Sequence, residues 1–351
     1  MSDSPCALQF AVNPDLVRTS LSAVRHIGPH LWLGCDESAT LERLTYHGEY
    51  ADEHHHFSIS EYLPLPSTND EEIDIEGIAY ADHYLWFVGS HSLKRKSYKP
   101  DQDLDTNLDR LQTIKCEDNR YTLGRIPLVN GQLHRTCPHP EQPAVTLTAA
   151  QLKRKKSGNE LTHALKKDPY LGAFLAAGIP GKDNGFDIEG IAIMGDRLWL
   201  GLRGPVLRGW AVMVELQLQE ADPGILKLQK IGASKQRYRL HFCDLEGLGI
   251  RDLCPWQDQL LILAGPTMTL EGPVKIFALP LQALQAGHQL LEPLPLMTIP
   301  SGPDGDRPEG LTLLDTETGT ALVVFDGPTA QRLQGDQGVL SDRIHLPSPP
   351  H

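Results

Sequence analysis

Glutamate recurs along this chain in one five-residue setting. Asp74-Ile75-Glu76-Gly77-Ile78, Asp187-Ile188-Glu189-Gly190-Ile191 and Asp244-Leu245-Glu246-Gly247-Leu248 share it, and Arg307-Pro308-Glu309-Gly310-Leu311 keeps the Glu-Gly-Leu. A carboxylate repeated at one structural position implies rotational pseudo-symmetry, which gathers the copies about an axis. Carboxylates converging in that way cannot all stay ionised without a compensating cation or proton. Hard oxygen ligands at that density suit a divalent cation, Ca²⁺ or alternatively Mg²⁺ or Mn²⁺. The expected metal ligands are Glu76, Glu189, Glu246 and Glu309, joined by Asp36 and Asp326. The other use of such a glutamate is structural: it accepts backbone N–H groups, or pairs with Arg25, Arg203 or Arg307, and locks one repeat to the next.

The elements that must position these residues follow each copy. A turn and a short apolar strand come next every time, over 85–89, 198–202, 260–264 and 321–325, and third runs lie over 121–128, 212–218 and 274–281. The glutamates stand 113 (189−76), 57 (246−189) and 63 (309−246) residues apart. A propeller blade of four short strands takes about 40–60 residues, so the last two spacings fit one blade each and the first holds an insertion. Leu31-Trp32-Leu33-Gly34 repeats Leu85-Trp86-Phe87-Val88 and Leu198-Trp199-Leu200-Gly201, which adds a hairpin upstream. Ten residues before Trp32, as from Trp86 to Glu76 and from Trp199 to Glu189, stands Ser22, so this first blade lacks the carboxylate. The expected fold is all-β: a β-propeller of five blades, six being the alternative, as a single domain over 1–351. The run 8–12 is expected to give the last blade its outer strand and close the ring.

In each hairpin the second strand ends beside the start of the first, on one face of the disc. Those ends are Asp36-Glu37, Ser90-His91, Arg203-Gly204, Ala264-Gly265 and Asp326-Gly327. The mouth therefore collects Asp36, His91, Arg203 and Asp326 around the glutamates. Glu189, His91 as an acid or base at neutral pH, and Arg203 against developing negative charge form the expected catalytic set. Lys94, Arg95 and Arg307 are the expected contacts to a small anionic substrate. Asp74, Asp187 and Asp244 read as caps at the strand openings. In His54-His55-His56, strand alternation points only His54 and His56 the same way. Gly178-Ile179-Pro180-Gly181-Lys182 lacks both the phosphate-loop spacing and the strand before it.

Between the first two glutamates the pattern turns helical, over 148–182. Thr148-Ala149-Ala150-Gln151 has the form of a capping box opening a helix over 149–156. Asn159 can cap 160–167, and Asp168-Pro169 can start a helix through Ala177, closed by Gly178. Seven Lys and Arg against Glu160 and Asp168 make this insertion basic, near +5, in a chain of net charge −13. It suits a lid or a docking surface for a protein partner. That acidic total argues against nucleic acid and anionic membrane as partners. Six cysteines without a CxxC pair, a start lacking the basic and apolar regions of a signal peptide, and no apolar run of bilayer length lead to an expected cytoplasmic location.

The repeated Asp-Ile-Glu-Gly-Ile, followed by Leu85-Trp86-Phe87-Val88-Gly89-Ser90-His91-Ser92, resembles a bacterial family catalogued as a domain of unknown function, over about 21–325. More distantly, Glu-Gly at the start of an inner strand is similar to gluconolactonase-type lactonases and to esterase-like phytase propellers. Those resemblances imply a divalent cation in the channel and hydrolysis of a lactone or phosphate ester. The expected function is thus a divalent-metal-dependent hydrolase of a small ester, lactone or phosphoester. The alternative is a scaffold or ligand-binding propeller whose glutamates are purely structural.

Overall fold

The computed structural model describes residues 4–68, 71–232, 235–268, 272–287, 289–300 and 306–347. Its strands pair as antiparallel meanders. The first unit is Leu21–Ile27, His30–Cys35, Thr40–Tyr46 and Tyr50–Ser58. The second is Ile75–Ala81, Tyr84–Gly89, Leu123–Val129 and Ala150–Leu152. The third is Asp187–Met194, Arg197–Gly204, Trp210–Leu216 and Arg239–Asp244, and the fourth Gly249–Trp256, Gln259–Gly265, Val274–Pro280 and Leu294–Ile299. In the fifth, Arg307–Asp315, Thr320–Asp326 and Gly338–His345 are completed by the N-terminal strand Cys6–Gln9. That strand also runs parallel to Tyr50–Ser58, so it ties the last unit to the first and covers an edge that would otherwise stay unpaired.

The chain is an all-β propeller, and among the described residues its meandering strands form these five units, with short pairs such as Thr136–Pro138 with Thr146–Thr148 lying outside them. The first strand of each unit packs beside the first strand of the next, and Arg307–Asp315 returns to Leu21–Ile27, closing an inner ring. Inner and second strands are buried on both faces, which is why they read as near-continuous apolar runs such as Tyr84–Gly89. The core lies between blades. Trp32 of the first packs with Ile75 and Phe87 of the second, and Trp199 of the third with Ile250 and Phe277 of the fourth.

One local device sets up the axis. Each inner strand carries a register shift at the same point, skipping Ser22, Glu76, Glu189, Arg251 and Glu309 in turn. A bulge re-aims the residue it leaves unpaired, here toward the mouth of the channel. The glycine that follows each of the three glutamates has a steric reason. A Cβ on Gly77 would stand 3.1 Å from the backbone nitrogen of Ile191, and one on Gly310 would stand 3.1 Å from that of Val24.

One local expectation needs correcting, and one element went unforeseen. The segment 149–156 does not form a helix: Ala150–Leu152 is the outer strand of the second unit, because the exposed edge of Leu123–Val129 offers a ladder that outweighs a capping signature. Helical structure starts at Asn159, whose side chain caps Glu160–Leu165, and continues with Gly172–Ala177, closed by Gly178 at φ 63°. A second insertion, absent from the sequence reading, carries the helix Leu104–Gln112 between the paired strands Lys94–Arg95 and Ile114–Lys115. His54 and His56 do point together, as strand alternation requires, but toward the buried carboxylate of Glu42, at 2.7 and 3.0 Å. Among the described residues no helix is long and apolar enough to cross a membrane.

Candidate functional site

The bulges deliver Glu76, Glu189 and Glu309 to one end of the axis, as the repeat implies, but Arg251 takes the fourth place. Glu246 does not reach the axis. It lies on an exposed turn at φ 57°, its N–H donating to Asp244 Oδ1 and its carboxylate paired with Lys275. Asp-Leu-Glu-Gly-Leu is here a turn sequence standing five residues before the true inner-strand position. The ten-residue count that located Ser22 also locates Arg251, from Leu261, which holds the place of Trp32, Trp86 and Trp199 in the ladder.

An arginine in a ring of glutamates changes its electrostatics. Arg251 pairs with Glu309 and lies 3.5 Å from Glu189, while Arg203 Nη1 donates to Glu189 at 2.7 Å and stands 4.0 Å from Asp187. Backbone holds one further nitrogen of each guanidinium: Arg203 Nε donates to the carbonyl of Thr267 and Arg251 Nη2 to that of Pro266, each at 3.0 Å. Glu189 and Glu309 are thus locking residues. Below them Arg25 crosses the axis, donating to Asp252 at 2.8 and 3.2 Å and to the carbonyls of Leu253 and Leu311. The channel is plugged there.

Glu76 stands apart. It is 7% exposed, and among the described residues it has no hydrogen bond or ion pair. It borders a cavity of about 670 Å³ at the mouth, together with Asp36, Asp74, Asp187, Arg120 and Lys182. Arg120, which has the position to neutralise it, is spent elsewhere, on Asp74, on Glu72 at 2.8 Å and on Ser92 Oγ at 2.8 Å. Burial, then the charges of Asp74, Glu189, Glu309 and Asp36, push the Glu76 carboxyl well above the usual carboxylate range. Asp36 is raised likewise, by burial and then by Asp326, Asp74 and Glu309. Asp187 and Asp326 are each raised to about 7, by burial and next by Glu189 and Glu309 respectively. Burial alone would lower Lys182, but Glu309, Asp326 and Asp36 outweigh it and hold the ammonium charged.

The remaining predicted residues distribute as follows. Asp36, Arg203 and Asp326 sit at the mouth. Arg307 is half exposed and 3.5 Å from Asp326. Lys94 and Arg95 border the cavity but are engaged, with Glu72 at 2.7 Å and Asp183 at 2.8 Å. His91 is corrected: it is buried and turned away from the axis, Nδ1 bonding the Gly89 carbonyl at 2.7 Å and Nε2 the Asn159 amide at 2.6 Å. Burial lowers it to about 4, so it is neutral at physiological pH. Asp74 and Asp187 are buried site carboxylates rather than turn caps, whereas Asp244 does cap a turn. Among the described residues no three His, Cys, Asp or Glu side chains converge closely enough to hold a metal ion. The set Glu76, Glu189, Glu246, Glu309, Asp36 and Asp326 does not fit one as it stands, since arginines take Glu189 and Glu309 and Glu246 lies elsewhere. Arg120 and Lys182 went unforeseen; Lys182 ends the Gly178–Lys182 run discounted as a phosphate loop.

Residues 20–342 match a family described as a protein of unknown function, DUF3616. The chain belongs to that family. No curated protein matches it. Solved structures similar to it include the glutaminyl cyclase of Myxococcus xanthus, at 9% identity and TM-score 0.41 over 98% of this chain and 100% of that one. The PQQ-bound aldose sugar dehydrogenase of Streptomyces coelicolor gives 10% identity and TM-score 0.38 over 95% of each chain. The β-propeller domain of Cps50 (Swd1), from an organism printed as Myceliophteria thermophila, gives 9% and 0.33 over 92% of this chain and 96% of that one. Scores this low carry no inference about activity.

Proposed function

We propose that the axial cavity is a small-molecule site and that Glu76 is the carboxyl that exchanges a proton with the ligand. The observation that carries this is Glu76 itself: buried, unpaired among the described residues, and bordering a cavity of about 670 Å³. That volume lies within the range of about 300–1,000 Å³ usual for ligand pockets. A carboxyl raised by burial and like charges keeps its proton to higher pH than a free one, and so is suited to donate to a leaving-group oxygen or to the oxygen of a bound ester, lactone or phosphoester. Arg120 and Lys182, bordering the same cavity, supply positive charge for a ligand anion or for charge that develops during hydrolysis.

The test is a panel of small esters, lactones and phosphoesters assayed for turnover and, by calorimetry, for binding, with Glu76→Gln beside the wild type. Turnover lost in Glu76→Gln with the fold intact supports the hydrolase; unchanged turnover removes Glu76 from the chemistry. A second reading, a ligand-binding propeller without turnover, is favoured by the arginine locks on Glu189 and Glu309. It predicts binding that Glu76→Gln weakens, and no product from any compound.

A further inference from the structure

A second cavity, about 160 Å³, lies beside the axial one, between the second unit and the helical insertion. Leu93 borders both cavities, and the residue before it, Ser92, faces the axial one. Much of the side cavity's wall is apolar: Leu93, Tyr121, Phe174, Leu175, Ile179 and Phe186. Its polar wall residues are already engaged: His91 with the Gly89 carbonyl and the Asn159 amide, Thr162 Oγ1 with the Asn159 backbone, and Lys166 Nζ with Ser157 Oγ at 3.3 Å. The insertion is built to hold this wall in place. Gly181 N–H donates to the Leu93 carbonyl at 3.0 Å, and Asn159 both caps Glu160–Leu165 and grips His91. Gly178, at φ 63°, takes the left-handed turn that brings the chain over Leu93.

We propose that the ligand of the axial site is a small organic anion with a short alkyl or aryl arm, and that the arm lies past Leu93 in the side cavity. This rests on the axial cavity being the ligand site. The division of chemistry supports it. Charged groups line the large cavity, and an apolar wall stands one residue away. Lys182 and the Glu76 carboxyl face an anionic, oxygen-rich head, and Arg120, though paired with Asp74 and Glu72, adds positive charge beside them. An apolar cavity of about 150 Å³ is large enough to take benzene, so the side cavity suits an arm of that size and not a long chain.

The experiment is a calorimetric series of alkyl phosphates from methyl to octyl, with inorganic phosphate as the bare head. Affinity is expected to rise by up to about fourfold per methylene and then level off once the side cavity is full. Leu175→Trp, which fills the cavity, should flatten the series without changing the affinity for methyl phosphate. Leu93→Ala, which removes the partition, should move the levelling point to longer chains. A flat series in the wild type, the same slope in Leu175→Trp, or no binding by any member overturns the inference. Equal affinity of wild type and Glu76→Gln for methyl phosphate counts against the axial reading instead, while the slope still judges the arm.

Discussion

Glu76 and Glu189 occupy the same bulge in neighbouring blades, yet Glu189 is clamped by Arg203 at 2.7 Å and Glu76, among the described residues, by nothing. The repeat that makes the fold is thus used in two ways. Two copies, Glu189 and Glu309, join blades through arginine, and one, Glu76, is left buried, facing the cavity and unpaired among the described residues.

The pH dependence of stability follows from the carboxyls at the mouth. Asp187 and Asp326 are raised from 3.8 to about 7 in the folded state. The native protein therefore holds more protons than the unfolded chain between those values, and stability falls as pH rises through that window. The melting temperature is expected to drop from pH 5 to pH 8, and Asp326→Asn should reduce the slope. A melting temperature that climbs over this range by the same amount in both proteins would contradict the assignment.

Divalent cations are expected to leave the protein unmoved. Arg203, Arg251, Arg120 and Lys182 supply the positive charge that the carboxylates demand, which removes the original reason for a metal. Melting with EDTA and with millimolar Ca²⁺, Mg²⁺ or Mn²⁺ should coincide with the untreated curve. A rise of several degrees with one of these ions would restore the divalent-cation reading.

Glu42 and His54 link the first blade to the chain just past the closing strand. The buried Glu42 carboxylate accepts from Thr40 at 2.7 Å and meets His54 and His56 at 2.7 and 3.0 Å, and His54 Nδ1 in turn accepts the N–H groups of Ala11 and Val12. His54→Leu should cost about 2 kcal/mol, since it strips a hydrogen bond from a buried charge. Denaturant unfolding would register the loss, and limited proteolysis should cut first near residue 12. Wild-type stability in this variant would show the clasp to be incidental.

Much of this was legible beforehand, and the failures have local causes. Tryptophans at one place in the second strand and glutamates ten residues earlier marked the inner strands, because both positions answer to the blade itself. Glu246 misled because a match to Asp-x-Glu-Gly-Leu cannot distinguish a bulge from a turn; the count back from the following strand can, and it finds Arg251. The run 149–156 misled because strand pairing with Leu123–Val129 overrode a helix start, a tertiary effect invisible in a window. Arg120 and Lys182 carry no periodic signal. They arrive from insertions, and only folding reveals that they face the axis.

The most direct measurement is a pair of thermal melts at pH 8, Glu76→Gln and Glu189→Gln, each against the wild type. Removing one partner of a buried ion pair costs about 3 kcal/mol, so Glu189→Gln should melt about 4 °C lower. Glu76→Gln removes a crowded, unpaired carboxyl and should melt at or above the wild-type temperature. Equal losses in the two variants would mean that Glu76 is one more blade lock, and the axial site would lose the residue on which it rests.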